Sequence, residues 1–478
     1  MRQEPSTIFT SFSELLSIGA LIPFLTALTD PDLIFSRPSL KPIFQFLDIN
    51  SPEEILLPLA IAFSLAAIFS GLMRLLQLWV NLRTVYAAGA DLSEKVYHIT
   101  LYQPYSFHVS RNSSSLINTA YTKTDSAVGN CILPLVNIIT SGVILFSIMA
   151  ALILLDPFVA FSALIAFGSV YLVIVKTFKM RLRINSKIIA RETDRVVKTL
   201  QEGLGGIRDV LIDGSQEIYC KTYNQAIRST SSAQSVNGFI SASPRFVIEA
   251  IGMVLISVLA FLLVNRSGES NSVIPVLGTL AFSAQRMLPA VQNIYYSWSS
   301  LVGSFASLKD VVELLQQSVP DLSKEELVPL TFERSINLEN IDFKYKAGLP
   351  NVLNKINLTI RKGTKLGIIG TTGSGKSTLL DIIMGLLSPT NGALKVDGNK
   401  INERTVRAWQ KNIAHVPQFI YLSDTTVEEN IAFGVPQDRI DHDLVKKVAA
   451  RAQISETIEL MPDRYKTIVG ERGIRLSG

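Results

Sequence analysis

The sequence predicts an all-α membrane domain of six helices with long cytoplasmic extensions, followed by an α/β domain built round a phosphate-binding loop. Three observations predict it. Six long apolar stretches lie before about residue 300. Beyond them, strand-like and helix-like runs alternate, the pattern of an α/β layer domain. One glycine-rich stretch, "KLGIIGTTGSGKSTLLDIIMGLL", then joins a strand-like run to a helical one.

At 478 residues the chain is too long for one ordinary core. Hydrophobic residues make up 48% and charged residues 18%, below the usual quarter, so part of the chain is expected in lipid. The formal charge is 45 − 40 = +5, too small on this length to argue for nucleic acid as a partner. Cys131 and Cys220 lie far apart with no metal-like spacing and are expected to be buried, inert thiols.

The apolar stretches fall near 7–28, 55–80, 131–153, 157–178, 243–264 and 273–300. Each approaches or exceeds the ~20 residues a helix needs to cross ~30 Å of hydrocarbon. The first has little positive charge before it and runs past the usual length of a signal core, so it is expected to be a retained span. The predicted division is a transmembrane domain over 1–315, a linker over 316–332 and the α/β domain over 333–478.

Charge sets the orientation. The loop after the fourth stretch is dense in bases, among them Lys179, Arg181, Arg183, Lys187, Arg191 and Arg195, whereas "LLDPF" has none. Bases gather on the cytoplasmic side, which places both long loops and both termini there. These loops keep an apolar recurrence at three and four, so they are expected to continue the spans as projecting helices. Breaks are expected at Pro104 and at "EGLGGIRD", where Gly203, Gly205 and Gly206 cluster. Such tips either dock on something below or are solvated. The segment "PSLKPIFQFLDI" is either a helix along the outer surface or a plain loop.

The glycine-rich stretch carries the chemistry. It reads as a strand, then G-x-x-x-x-G-K-S (Gly370, Thr371, Thr372, Gly373, Ser374, Gly375, Lys376, Ser377), then a helix. Glycine lets successive backbone N–H groups curl round an anion. The helix start aims its dipole and free N–H groups at phosphate. Lys376 is expected on the β- and γ-phosphates, Ser377 on Mg²⁺ and Thr378 on the α-phosphate. Tyr345 lies upstream, where its ring either stacks on a base or packs as a strand residue. Gln418 ends the strand-like run "IAHVPQ". Its amide suits water and Mg²⁺, although a glutamine at a strand end is usually solvated.

Together these residues resemble an ATP-binding cassette (ABC) transporter of the exporter type. The likeness rests on the phosphate loop at 370–378, the aromatic Tyr345, Gln418 in "VPQ", the "VGERG" run, and six spans preceding the cassette in one chain. It implies a half-transporter that works as a homodimer, or with a second half-transporter, and an ATPase using ATP and Mg²⁺. Lys376 and Gln418 would serve catalysis. Leu476, Ser477 and Gly478 would begin the signature sequence, which faces the partner's ATP. The resemblance also implies that the sequence is truncated: it carries no Walker B glutamate and no switch histidine, so hydrolysis by this polypeptide is doubtful.

Arg74, Arg245 and Arg286 stand in or at the edge of spans, where an arginine is costly unless it faces protein or a watery cavity. Each is a substrate candidate. The alternatives are pairing within the bundle, as Arg245 could with Glu249, or snorkelling. Guanidinium groups suit a pyrophosphate. The membrane half is similar to bacterial flippases of lipid-linked oligosaccharides. That likeness implies ATP-driven flipping of a polyprenyl-pyrophosphate-linked glycan across the cytoplasmic membrane. The alternatives are an exporter of lipid, peptide or drug, and a non-hydrolysing ATP-binding membrane fragment.

Overall fold

The computed structural model describes residues 51–155, 157–267, 270–319, 328–346, 348–418 and 420–470, with a few positions between 19 and 49. Most of the expected first span, most of "PSLKPIFQFLDI" and the run Leu476–Ser477–Gly478 therefore lie outside the described residues. The chain divides into two compact units, Met1–Lys324 and Glu325–Gly478.

The first unit is helical. After the short α1 (Pro31–Phe35) comes α2 (Leu56–Leu101), then the short α3 (Tyr105–Ser110). The run from Ser113 to Leu155, α4, consists of α-helical pieces interrupted by π-helical turns at Thr119–Lys123 and Val128–Ile132. It is followed by α5 (Pro157–Gly205), the short α6 (Ile207–Ile212), α7 (Gln216–Ser267) and α8 (Ser270–Leu315). At 46 residues, α2 is about 70 Å long, more than twice the hydrocarbon thickness. The long loops are thus continuations of the spans, and the chain breaks at Gln103–Pro104 and at Gly206. Among the described residues, two helices pass the length and hydropathy test for crossing a membrane, Leu56–Leu101 and Ser113–Ala150. Along α2 the large apolar side chains Leu57, Ile61, Leu65, Ile68, Leu72 and Leu75 are exposed, the distribution that a lipid environment rewards.

Pro244 lies inside α7, where it can donate no hydrogen bond to the carbonyl of Ile240, one turn earlier. Tyr295 of α8 replaces that donor: its hydroxyl reaches the Ile240 oxygen at 3.1 Å. Tyr295 is itself held between Tyr171 of α5 and Trp298, with ring centroids at 5.5 and 5.7 Å. Below this point a polar seam joins the same helices. Asn185 donates to Asn237 at 2.8 Å, Ser241 and Ser299 share a 2.7 Å bond, and Ser186 accepts from the Ala306 amide at 3.0 Å. Most of these residues lie beyond the apolar stretches, in the extensions, where such paired side chains satisfy buried polar groups and fix which helices meet. Cys131 is buried as expected, but Cys220 is exposed, because it lies in the first turns of α7, beyond the apolar stretch.

The second unit has a four-stranded antiparallel sheet in the order β2-β1-β3-β4, from β1 (Ser335–Phe343), β2 (Leu353–Arg361), β3 (Asn391–Val396) and β4 (Asn399–Lys400). Helix α9 (Lys376–Ile383) packs on it through Ile382. Ile336, Leu338, Ile341, Phe343, Leu394 and Trp409 share that core. Trp409, in α10 (Val406–Gln410), donates its indole N–H to the Ile383 carbonyl at 2.8 Å and so closes the C-terminal end of α9. Asp397 clamps the start of β1, accepting from the amides of Glu333, Arg334 and Ser335 at 2.5–2.8 Å. A second core, with Val427, Val445, Ala449, Ile458 and Tyr465, lies under the helices α11 (Val427–Ile431), α12 (His442–Arg451) and α13 (Ser455–Glu459).

Two expected strands are not strands. "KLGIIG" and "IAHVPQ" carry no ladder, and Ile369 and Val416 are 95% and 90% exposed. A strand is defined by its lateral partner, and neither run has one among the described residues.

Candidate functional site

The loop 370–375 turns from the unpaired run 365–370 into α9. Its geometry depends on glycine. Gly373 and Gly375 have φ of +82° and +86°, a region costly to a residue with a Cβ. A Cβ on Gly375 would also meet Leu353 Cδ2 at 2.9 Å and the Val352 carbonyl at 3.1 Å. Gly375 is the N-cap of α9 and offers no side-chain acceptor. The first-turn amides of α9 therefore keep the positive end of the helix free for an anion. Gly375 is buried, while the loop from 370 to 374 is exposed.

Lys376 curls over its own loop. Its ammonium donates to the carbonyls of Gly370 at 2.9 Å and Thr371 at 2.7 Å, and lies 3.4 Å from Ser374 Oγ. The positive charge thus lies against the loop, on two of its carbonyl oxygens. Ser377, next on the helix, is exposed. These residues fit a polyphosphate with a divalent cation: amides, a helix start and an ammonium for the phosphates, and a hydroxyl for the metal. Bound there, Mg-nucleotide would supply the scissile phosphoanhydride.

Tyr345 is brought to the same place. Its hydroxyl and that of Thr378 share a 3.0 Å bond, and its ring meets Phe343 edge-on with centroids 5.0 Å apart. Tyr345 is 44% exposed as a residue, which leaves room for its ring to meet a planar ligand. Thr378 is buried and its hydroxyl is engaged by Tyr345, leaving its backbone amide for phosphate. Asp381, one turn along α9, has its carboxyl pushed up by burial, an effect opposed by the charge of His415. Gln418 is exposed.

The candidate arginines lie on three different helices. Arg74 is exposed on α2. Arg245 is exposed on α7 and paired with Glu249 at 2.8 Å. Arg286 belongs to α8, and its side chain is outside the described residues. The spacing of four had already made the Arg245–Glu249 pair legible. The Tyr345–Thr378 bond was not legible, because it spans 33 residues.

Residues 7–287 match the family described as ABC transporter transmembrane region, and residues 353–478 match the family described as ABC transporter. The heterocyst differentiation ATP-binding protein HepA of Nostoc sp. is 27% identical over 97% of this chain and 75% of its own length. The ATP-dependent lipid A-core flippase of Albidiferax ferrireducens is 24% identical over 84% of this chain and 68% of its own. Among solved structures, a bacterial Atm1-family ABC exporter with ATP bound shares the fold. It has a TM-score of 0.77 at 20% identity, covering 100% of this chain and 82% of that one.

Proposed function

From the premise that this chain belongs to the ABC transporters and has the fold of their exporters, we propose that it is a half-transporter that flips a glycolipid with a pyrophosphate-linked head across the bacterial cytoplasmic membrane. ATP binding and membrane transport are general to the family. The cargo, the residue roles and the homodimer are our reading. One observation carries the nucleotide half of it: the Lys376 ammonium is folded onto the carbonyls of Gly370 and Thr371 in the glycine-rich loop that opens α9, and Tyr345 is bonded to Thr378 on the same helix.

In this reading Gly370–Thr378 hold the phosphates, Ser377 and Gln418 hold Mg²⁺, and Tyr345 stacks on the base. Lys376 neutralises charge developing on the transferred phosphoryl group. Leu476, Ser477 and Gly478 face the partner's nucleotide. Arg286 and Arg74 engage the pyrophosphate of the cargo. The lipid A-core flippase relative supports a lipid cargo. The Arg245–Glu249 pair favours a second reading, export of a lipid or peptide lacking pyrophosphate, because it already neutralises one of the three guanidinium groups.

The test uses proteoliposomes with a short-chain fluorescent polyprenyl-pyrophosphate glycan. Mg-ATP should accelerate its inversion, and Arg286→Ala should abolish that acceleration. Unchanged inversion by the variant would remove the glycolipid reading. Absence of saturable Mg-ATP binding would remove the nucleotide reading as well.

A further inference from the structure

Lys123 is the one lysine or arginine buried among the described residues. It ends the first π-helical turn of α4. Its ammonium donates to Asp194 of α5 at 2.9 Å and to Asp310 of α8 at 2.5 Å. Three helices therefore converge on one nitrogen. Burial works against its charge, yet the bonds to Asp310 and Asp194 outweigh it and hold the proton above the usual lysine range. Asn118 donates to the other oxygen of Asp194 at 2.6 Å.

Three features distinguish this joint from ordinary packing. The π turn inserts a residue into α4, a distortion frequent at functional positions; Thr124 steadies it by donating to the Thr119 carbonyl at 2.8 Å. The Asn118 oxygen is buried without a hydrogen-bond partner. A cavity of about 260 Å³ adjoins the ammonium, lined by Arg111, Thr119, Lys123, Asp194, Asp310 and Glu313. The Lys123 side chain is buried while those of Asp194 and Asp310 are 33% and 39% exposed, so the charge stranded by a lost partner is the ammonium, for which that loss is severe. Such a contact suits two discrete arrangements better than gradual slip, and the cavity gives the helices room to shift.

We propose that Lys123 is a positioning residue: it latches α5 to α4 and α8 in one arrangement of the cytoplasmic extensions and releases α5 when the helices rearrange. This rests on the reading of the chain as a nucleotide-driven transporter, because that reading supplies the rearrangement.

The test is pulsed electron paramagnetic resonance on the full chain in lipid nanodiscs, in a Cys220→Ser background. Labels at Tyr121→Cys and Arg191→Cys, both highly exposed positions on α4 and α5, report the separation beside the joint. With Lys123 present, and with the labelled chain diluted into an excess of unlabelled chain so that only one protomer of a dimer carries spins, one narrow distance is expected. Lys123→Met should lose it, with most of the population moving to longer separations, and Lys123→Arg should restore it. A Met distribution superimposable on the parent overturns the proposal. So does an Arg variant as disordered as Met, since the role would then be steric. If Lys123→Met does not fold, Asp310→Asn replaces it: partial broadening supports the latch, and an unchanged peak overturns it. Mg-ATP supplies the separate arm. If Lys123→Met opens the joint while Mg-ATP leaves the parent distance fixed, the latch stands and the nucleotide-driven reading fails.

Discussion

Replacing Gly375 by alanine tests how the phosphate loop works. At φ +86° an alanine carries a strain of roughly 1–2 kcal/mol. The added Cβ would also lie 2.9 Å from Leu353 Cδ2 and 3.1 Å from the Val352 carbonyl; the side chain can yield, but the backbone oxygen cannot move far. The loop escapes by leaving the binding conformation, so apparent affinity falls with the competent fraction. Strain alone amounts to roughly a 5- to 30-fold rise in Kd, and the carbonyl contact adds to it. Gly373→Ala is the internal control. It has nearly the same φ, +82°, and nothing within 4 Å of its Cβ, so it should show the strain without the clash. The assay is equilibrium binding of a fluorescent ATP analogue with Mg²⁺ to purified full chain in detergent. Unaltered affinity in Gly375→Ala, or an equal loss in both variants, would refute this account.

The other predictions concern stability. Tyr295→Phe leaves the Ile240 carbonyl without its donor, a loss of about 1–3 kcal/mol. Its apparent Tm should fall, whereas Tyr296→Phe, at a 57% exposed neighbour, should match the parent; equal Tm values would remove the repair role of Tyr295. The Asp397 carboxyl is held below its usual 3.8 by the amide of Glu333 first, and by those of Ser335 and Arg334. Because its folded pKa is depressed, its stabilisation is present above the unfolded value and is lost as pH falls through the folded one, so the window lies below about pH 4. Asp397→Asn should therefore flatten the acid limb of a pH–stability profile, measured by thermal scans, and an unaltered limb would count against the clamp.

Much of this was legible because it is local. The phosphate loop is a run of adjacent residues, and its glycines, lysine and serine declare their geometry in order. Length and hydropathy gave the helices, and Pro104 and the 203–206 glycines gave the breaks. What escaped depends on distance along the chain. Lys123 meets Asp194 and Asp310 across 71 and 187 residues, and nothing in the local pattern marks it among the other bases. The runs 365–370 and 413–418 look like strands by propensity, but a ladder needs a neighbour that propensity does not name.

Pro244 and Tyr295 also bear on how the protein is made. α7 precedes α8 in the chain, so it leaves the ribosome first with the Ile240 oxygen still lacking its donor. The helix reaches its mature hydrogen-bond complement only after the following segment has been synthesised and threaded beside it. Translation halted between the two would leave the Ile240 carbonyl without the donor that Tyr295 supplies.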